Sequence, residues 1–255
     1  MPPIKKAIKS ILPAAIVQAI RRHRAKRDEI RLKRICAEYD GLTTREVFTK
    51  IYEDGVWGVS KDPSDRYFSG LGSRDEVTAR TYVEAVHRFL SSFENKPDVA
   101  DLGCGDFSIG SKVRALCGRY TACDIVQPLI DANKERYKSQ AVDFRVLDLT
   151  QEDPPKADIV FIRQVLQHLS NDDIRKALPK IERSYKYLVL TEHLPGTDDF
   201  TPNLDKPAGP TTRLRHNSGI VLTSPPFNLA PKEQRVLCQV AGDGAVIKTT
   251  LYTLS

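Results

Sequence analysis

Two glycines and four carboxylates stand at intervals that can hold a nucleoside. In DVADLGCGDFSIG (98–110) a strand over Val99–Leu102 runs into a glycine turn and then a helix from about Ser108 to Cys117. Gly103 and Gly105 can take positive φ and let a ligand lie against bare backbone. Asp101 closes the strand and Asp106 follows the second glycine. A carboxylate at Asp106 would repel the pyrophosphate that a dinucleotide seats at a helix N-terminus. A nucleoside carrying positive charge and no phosphate removes the conflict, and S-adenosyl-L-methionine, with its sulfonium and ammonium groups, is such a molecule. About 20 residues on, RYTACDIVQPLI supplies Asp124, followed by Ile125, to accept the ribose hydroxyls. In VDFRVLDLT, Asp148 closes the next strand within reach of an adenine amino group, with Leu149 beside the ring.

Methyl transfer is an in-line displacement at carbon. It needs an aligned acceptor, and a base when the acceptor is a hydroxyl or a protonated amine. Two histidines are placed for this. His168, in RQVLQHLSND (163–172), lies one short turn past the apolar run Asp158–Ile162, and His193 ends the run KYLVLTEHL (186–194). The alternative for His168 is a packing role at the entrance of the next helix, which starts at SNDDI with Ser170 or Asn171 as N-cap. Arg163 and Gln164, at the exit of the fourth strand, are expected to touch the cofactor or fix the loop.

With these motifs in order, residues 98–193 resemble the class I S-adenosylmethionine-dependent methyltransferases: DLGCGD, the acidic CDIV, LDL, and ADIVFIRQVLQHL. The resemblance implies an α/β, Rossmann-like seven-stranded sheet with six parallel strands, an antiparallel last strand and helices on both faces. The C-terminus points the same way by itself. Residues 233–254 are two β-rich runs joined by Gly242-Asp243-Gly244, a hairpin signal. The expected organisation is a basic N-terminal segment (1–40), a lid and helix (41–95) and a cofactor-binding domain (96–255) containing a substrate loop (195–231).

The substrate is expected between the two irregular stretches. In 51–90, rich in Gly, Ser and Asp, Trp57 and Tyr67 can form a lid, with Ser73 or Arg80 near the methionine carboxylate. The stretch looks similar to the lid of small methyltransferases that act on sugars or other metabolites. In 195–231, too long for an ordinary connection, Asp205, Arg213, His216 and Asn217 can hydrogen-bond a polar acceptor and Phe227 can wall it. Arg213 and Arg215 suit a phosphate or carboxylate. Ser224-Pro225-Pro226-Phe227 resembles the tetrad with which methyltransferases of nucleic-acid bases hold a flipped base. There the tetrad follows strand four, a place that RQVLQHL occupies here.

Composition narrows the remaining classes. A chain of 255 residues, 40% hydrophobic, can bury one full core. Residues 1–34 hold eleven Lys or Arg against Asp28 and Glu29, so the net +6 of the chain resides in that segment and the rest is net negative. Nucleic acid is therefore disfavoured as a partner. The segment also carries isoleucines and leucines at helical spacing up to Pro13, which fits a helix lying on anionic lipid, or one packed on the domain. Five cysteines without a CxxC pair suggest reduced thiols and no metal site. The expected location is cytoplasmic, with a peripheral contact at the inner membrane face through 1–34. The expected function is methylation of a hydroxyl or amine on a small polar or glycan acceptor, as in polysaccharide or glycolipid synthesis. The alternatives are base methylation of nucleic acid and a non-catalytic cofactor-binding module.

Overall fold

Val99–Leu102 and Ile159–Arg163 are apolar on both faces, the pattern of strands covered by helices on each side. In the computed structural model these runs are neighbouring parallel strands, Ala100 pairing with Val160 and Asp101 with Phe161. The structure describes residues 37–60, 65–70, 75–242 and 244–255. By its internal contacts the chain divides into two compact units, residues 1–42 and 43–255. Of the first, only the turn at 37–42 is described, so the expected basic amphipathic helix and its lipid contact lie outside the described residues.

In the larger unit the strands are β1 (Val99–Leu102), β2 (Tyr120–Asp124), β3 (Asp143–Val146), β4 (Ile159–Arg163), β5 (Tyr187–Pro195), β6 (Glu233–Gly242) and β7 (Ala245–Thr253). They form one sheet in the order β3-β2-β1-β4-β5-β7-β6. β1 to β5 pair in parallel, and β7 runs antiparallel to both β5 and β6. Six strands thus share one direction and the last opposes them. The hairpin expected at the C-terminus is β6 and β7, with β7 inserted beside β5. Chain order reverses at β1, between β2 and β4, and open α/β sheets bind ligands outside the carboxyl ends at such a reversal.

The helices are α1 (Thr44–Glu53), α2 (Glu76–Leu90), α3 (Gly110–Val113), α4 (Gln127–Arg136) and α5 (Asn171–Ser184). The helix expected over Ser108–Cys117 is shorter: α3 covers four residues and a 3-10 turn, Arg114–Leu116, completes it. The glycine loop has drawn Phe107 into the core at positive φ, which delays the helical start. Around Phe107, the rings of Tyr120, Tyr137 and Phe144 pack edge-on with centroids 5.0–5.5 Å away, closing the core beneath the loop. No helix among the described residues is long and apolar enough to cross a membrane.

Two helices that flank the carboxyl edge of the sheet start on capping boxes. The Thr43 side chain accepts from the amide of Glu46 while Glu46 accepts from that of Thr43, and Ser170 and Asp173 repeat the arrangement on α5. Ser170 thereby ends the turn that carries His168. Ser170→Ala removes this cap and is expected to cost about 1 kcal/mol, read as a melting temperature lower by roughly 2–4 °C. An unchanged melting temperature would show that the cap carries no stability.

Candidate functional site

At the carboxyl edge a cavity of about 350 Å³ opens, lined by the ends of β1, β2, β4 and β5, by α1 and the loop after it, and by residues 210 and 212. Its first half is built by the glycine loop. Gly103 has φ +78°, and a Cβ there would lie 2.4 Å from Val165 Cγ2. Gly105, at φ +55°, would drive a Cβ to 2.5 Å from Ser69 Oγ. Both positions therefore require glycine.

Asp124 accepts from the Gly105 amide at 3.1 Å and the Val126 amide at 3.2 Å through different oxygens, so each oxygen keeps acceptor capacity. Burial pushes Asp124 up to about 6, against the pull of these amides. Asp148 Oδ1 accepts from both the amide and the hydroxyl of Thr150, while Oδ2 has no hydrogen-bond partner among the described residues. Asp148, Leu149 and Ile125 line the cavity. Asp101, pushed by burial up to about 7, accepts from Tyr120 Oη at 3.0 Å. The Arg163 guanidinium lies 5.1 Å over the Tyr82 ring, and Gln164 takes a positive φ while its amide donates to Thr191 O. Acids ending successive strands, a bare glycine loop and apolar flanks form an acceptor-rich lining suited to a cationic nucleoside such as S-adenosyl-L-methionine, and no cluster that could hold a metal ion occurs among the described residues.

Asp106 lines the same loop, and its carboxylate accepts from the amides of Ser69 and Ser108. Ser69 in turn accepts from the Asp106 amide and contacts Tyr52 Oη at 3.0 Å. The segment around Ser69 is thus stitched over the glycine loop. Ser69 belongs to the SGLGS stretch expected in the lid, whereas Tyr52 was not legible as a site residue, because its role depends on a contact between separated positions in the chain.

The second half of the cavity holds the histidines. The turn Leu166–His168 is held from two sides. Glu192 accepts from the amides of Leu166 (3.1 Å) and Gln167 (3.0 Å). Arg213 donates to the carbonyls of Leu166, Gln167, Leu169 and Leu204 and to Asn171 Oδ1. Those five bonds use every N–H that a guanidinium has. Burial raises Glu192 to about 8, opposed by Arg213 and by the amides it faces.

This geometry assigns a tautomer. The His193 amide donates to Gln167 Oε1, so the Gln167 amide nitrogen must face His168 Nε2, 3.2 Å away. His168 Nε2 is therefore an acceptor, and Nδ1–H donates to Gly209 O at 3.2 Å. Both ring nitrogens are occupied, and burial, with Lys206 adding repulsion, lowers His168 to about 3. His193 also lines the cavity; its ring makes no hydrogen bond among the described residues, and its pKa is lowered by burial alone.

Trp57, read as a cofactor contact, stands beside His168 with ring centroids 5.0 Å apart and donates Nε1–H to Pro210 O. It therefore joins the loop after α1 to the 195–231 insertion. Tyr67 does not line the cavity; it is buried behind Tyr52, edge-on at 6.1 Å. Arg213, expected to bind a substrate anion, is 1% exposed with its donors spent on the protein. Asp205 is turned to the amides of Asn171 and Lys206, and Asn217 donates to Asp199 O. His216 and Phe227, like Asp205 and Asn217, lie off the cavity wall. The insertion folds back on itself there, around Asn203, whose side chain bonds Val221, Ser224 and Pro225. The Ser224–Phe227 tetrad lies off the wall too. Ser73 lies outside the described residues.

Residues 100–186 match the model of a family described as a methyltransferase domain. No curated protein sequence matches significantly. Among solved structures, the chain is similar to N-methyltransferase NodS from Bradyrhizobium japonicum WM9 in complex with S-adenosyl-L-homocysteine (17% identity, TM-score 0.53, 71% of this chain and 89% of that one). It is also similar to human N-acetylserotonin methyltransferase in complex with S-adenosyl-L-methionine (18%, 0.56, 85% and 61%). A third is magnesium protoporphyrin IX methyltransferase from Synechocystis PCC 6803 with bound S-adenosyl-L-methionine (13%, 0.52, 84% and 99%). At these identities the likeness is one of fold.

The Arg213 clamp has a measurable consequence. Arg213→Met strands several buried carbonyls at once, and each unsatisfied group costs about 1–3 kcal/mol. Denaturant unfolding is expected to show a loss of at least about 3 kcal/mol, with Arg213→Lys intermediate. An unchanged midpoint for the Met variant would refute the clamp.

Proposed function

We propose that this chain, whose residues 100–186 form a methyltransferase domain, transfers a methyl group to a hydroxyl of a small polar or glycan acceptor, with His193 as the acceptor-side base. The domain implies S-adenosyl-L-methionine as cofactor, which supplies a methyl group activated by its sulfonium. Asp124 is proposed to accept the ribose hydroxyls, Asp148 Oδ2 the adenine amino group, and Gly103 and Gly105 to leave room for the chain between them.

The observation that carries the choice of base is the contrast between the two histidines. A base needs an accessible lone pair within hydrogen-bond reach of the acceptor proton. The His168 lone pair is capped by Gln167, and its low basicity gives a proton little reason to transfer. His193 lines the cavity and its ring has no hydrogen-bond partner among the described residues, so it is the imidazole proposed to face the acceptor. His193 would take the hydroxyl proton as the oxygen attacks, and His168 would hold Gln167 and the 209–210 backbone in register. An amine acceptor that arrives unprotonated would need alignment alone. The position of Ser224–Phe227 off the cavity wall weighs against a nucleic-acid base as acceptor.

His193→Ala is expected to lower kcat by about 10²–10⁴-fold while leaving the Kd for S-adenosyl-L-homocysteine unchanged by calorimetry. His168→Ala should instead lower thermal stability and raise the acceptor KM. Reversal of these two patterns would return the base role to His168. Because burial lowers the His193 pKa, the base stays unprotonated below the ordinary histidine value. The acidic limb of kcat at saturating cofactor should therefore lie below about pH 6.5. On the cofactor side, protonation of Asp124 removes an acceptor. Affinity for S-adenosyl-L-homocysteine is expected to weaken as pH falls through about 6, and Asp124→Asn should be weak throughout. A flat pH dependence in both proteins would reject the ribose role.

A further inference from the structure

The lining grouped around Trp57 and His168 says what kind of acceptor it admits. From α1 and the loop after it come Phe48, Tyr52 and Trp57, and from the insertion come Pro210 and Thr212. The turn after β4 adds Gln167. None of these side chains carries a charge. The cations nearest in the fold are committed elsewhere. Arg213 gives its five N–H groups to the protein, and Lys206 Nζ donates to the carbonyls of His168 and Pro207. Arg163 is engaged over Tyr82 on the cofactor side, where Asp101 acts on it. Both histidines are kept neutral by burial. The carboxylates on the wall all belong to the cofactor half.

Trp57 supplies the second half of the argument. Its Nε1–H is spent on Pro210 O, and the rings of His168, Tyr52 and Phe48 stand 5.0, 5.2 and 6.2 Å from it. With its one polar group used, what the half-buried indole offers the cavity it lines is apolar ring surface, which suits the apolar face of another ring.

We propose that the acceptor is a neutral, ring-borne alcohol, stacked on Trp57 with its hydroxyl toward His193, and that the wall rejects acceptors bearing a carboxylate or phosphate. This rests on the methyltransferase reading above. An anionic group entering this half gives up water and finds the nearby cations already engaged, Arg163 over Tyr82 beside Asp101 and Arg213 and Lys206 on backbone carbonyls, and an unpaired charge taken out of water is strongly disfavoured. Discrimination thus comes from what the wall withholds, while stacking supplies affinity. A phenol and a neutral sugar share the required chemistry, and the two can be separated by experiment.

Trp57 is the single tryptophan of the chain, so its fluorescence reports this wall directly. The full-length protein, first shown by calorimetry to bind S-adenosyl-L-homocysteine, is titrated in its presence with two matched pairs. These are phenol with 4-hydroxybenzoate, and methyl glucoside with methyl glucuronide. The expected result is saturable quenching by the neutral member of at least one pair, at least tenfold tighter than by its anion. The responding pair identifies the ring. In the same assay Thr212→Lys should shift the preference at least tenfold toward the anion. Equal or tighter binding of an anion by the unaltered protein, or no saturable response from either pair, overturns the inference alone. Failure to bind S-adenosyl-L-homocysteine overturns the methyltransferase reading and this inference with it.

Discussion

A single buried arginine holds the carboxyl edge of the sheet together. Arg213 sits midway along a long insertion, yet its guanidinium reaches back to the turn after β4, where it joins the Leu169 amide on the Leu166 carbonyl and takes up the carbonyls of Gln167 and Leu169. Glu192, on β5, meets the amides of the same turn. A 3-10 turn of three residues leaves most of its backbone groups without local partners, and a buried turn with such groups open is unstable. Here the missing partners come from two other elements. Strand, turn and insertion are thereby fastened to one another, and the histidines, Gln167 and Thr212 take their places from that fastening. Neutral alternatives would not serve as well, because five convergent acceptors match the fork of an arginine and few other side chains.

The opposite rim depends on a smaller knot. Ser69 and Asp106 exchange hydrogen bonds across the glycine loop, and Tyr52 joins them from α1. This places the lid segment against the loop by specific polar contacts, so α1 and its following loop form a wall of the cavity. Trp57 then ties that wall to the insertion through Pro210. The two irregular stretches of the sequence are the two sides of one opening, and the parallel strands set the distance between them.

How legible this was from sequence follows from the range of the interactions. The glycine loop, Asp124 and Asp148 could be read because each sits at the end of a strand whose apolar run is local, and β-strand order in such a sheet fixes where those ends meet. The β6–β7 hairpin was readable for the same reason, though not the insertion of β7 beside β5, which is a long-range pairing. The substrate assignments in 195–231 failed where they relied on residue type. An arginine in a polar loop suggests an anion site, but nothing in the neighbouring sequence shows that four of its five acceptors lie more than forty residues upstream. Asp205 and Asn217 were misread likewise, since short polar side chains in loops often serve the backbone around them. Tyr52 carried no local signal at all.

The same range argument decides how the two histidines differ. Both follow apolar strands, both lie near the cofactor edge, and by type they are equivalent. They are distinguished by a backbone amide. The N–H of His193 can only donate, so it orients the Gln167 side chain; Gln167 then presents its own N–H to His168 and fixes that ring as an acceptor at Nε2. The capped ring becomes a strut between the turn and the insertion, at Gly209. The ring of His193, whose backbone sets this chain of bonds, is the one left without a hydrogen-bond partner among the described residues. The relay thus occupies both nitrogens of one imidazole and leaves the other without a hydrogen-bond partner among the described residues, a difference that residue type alone does not carry.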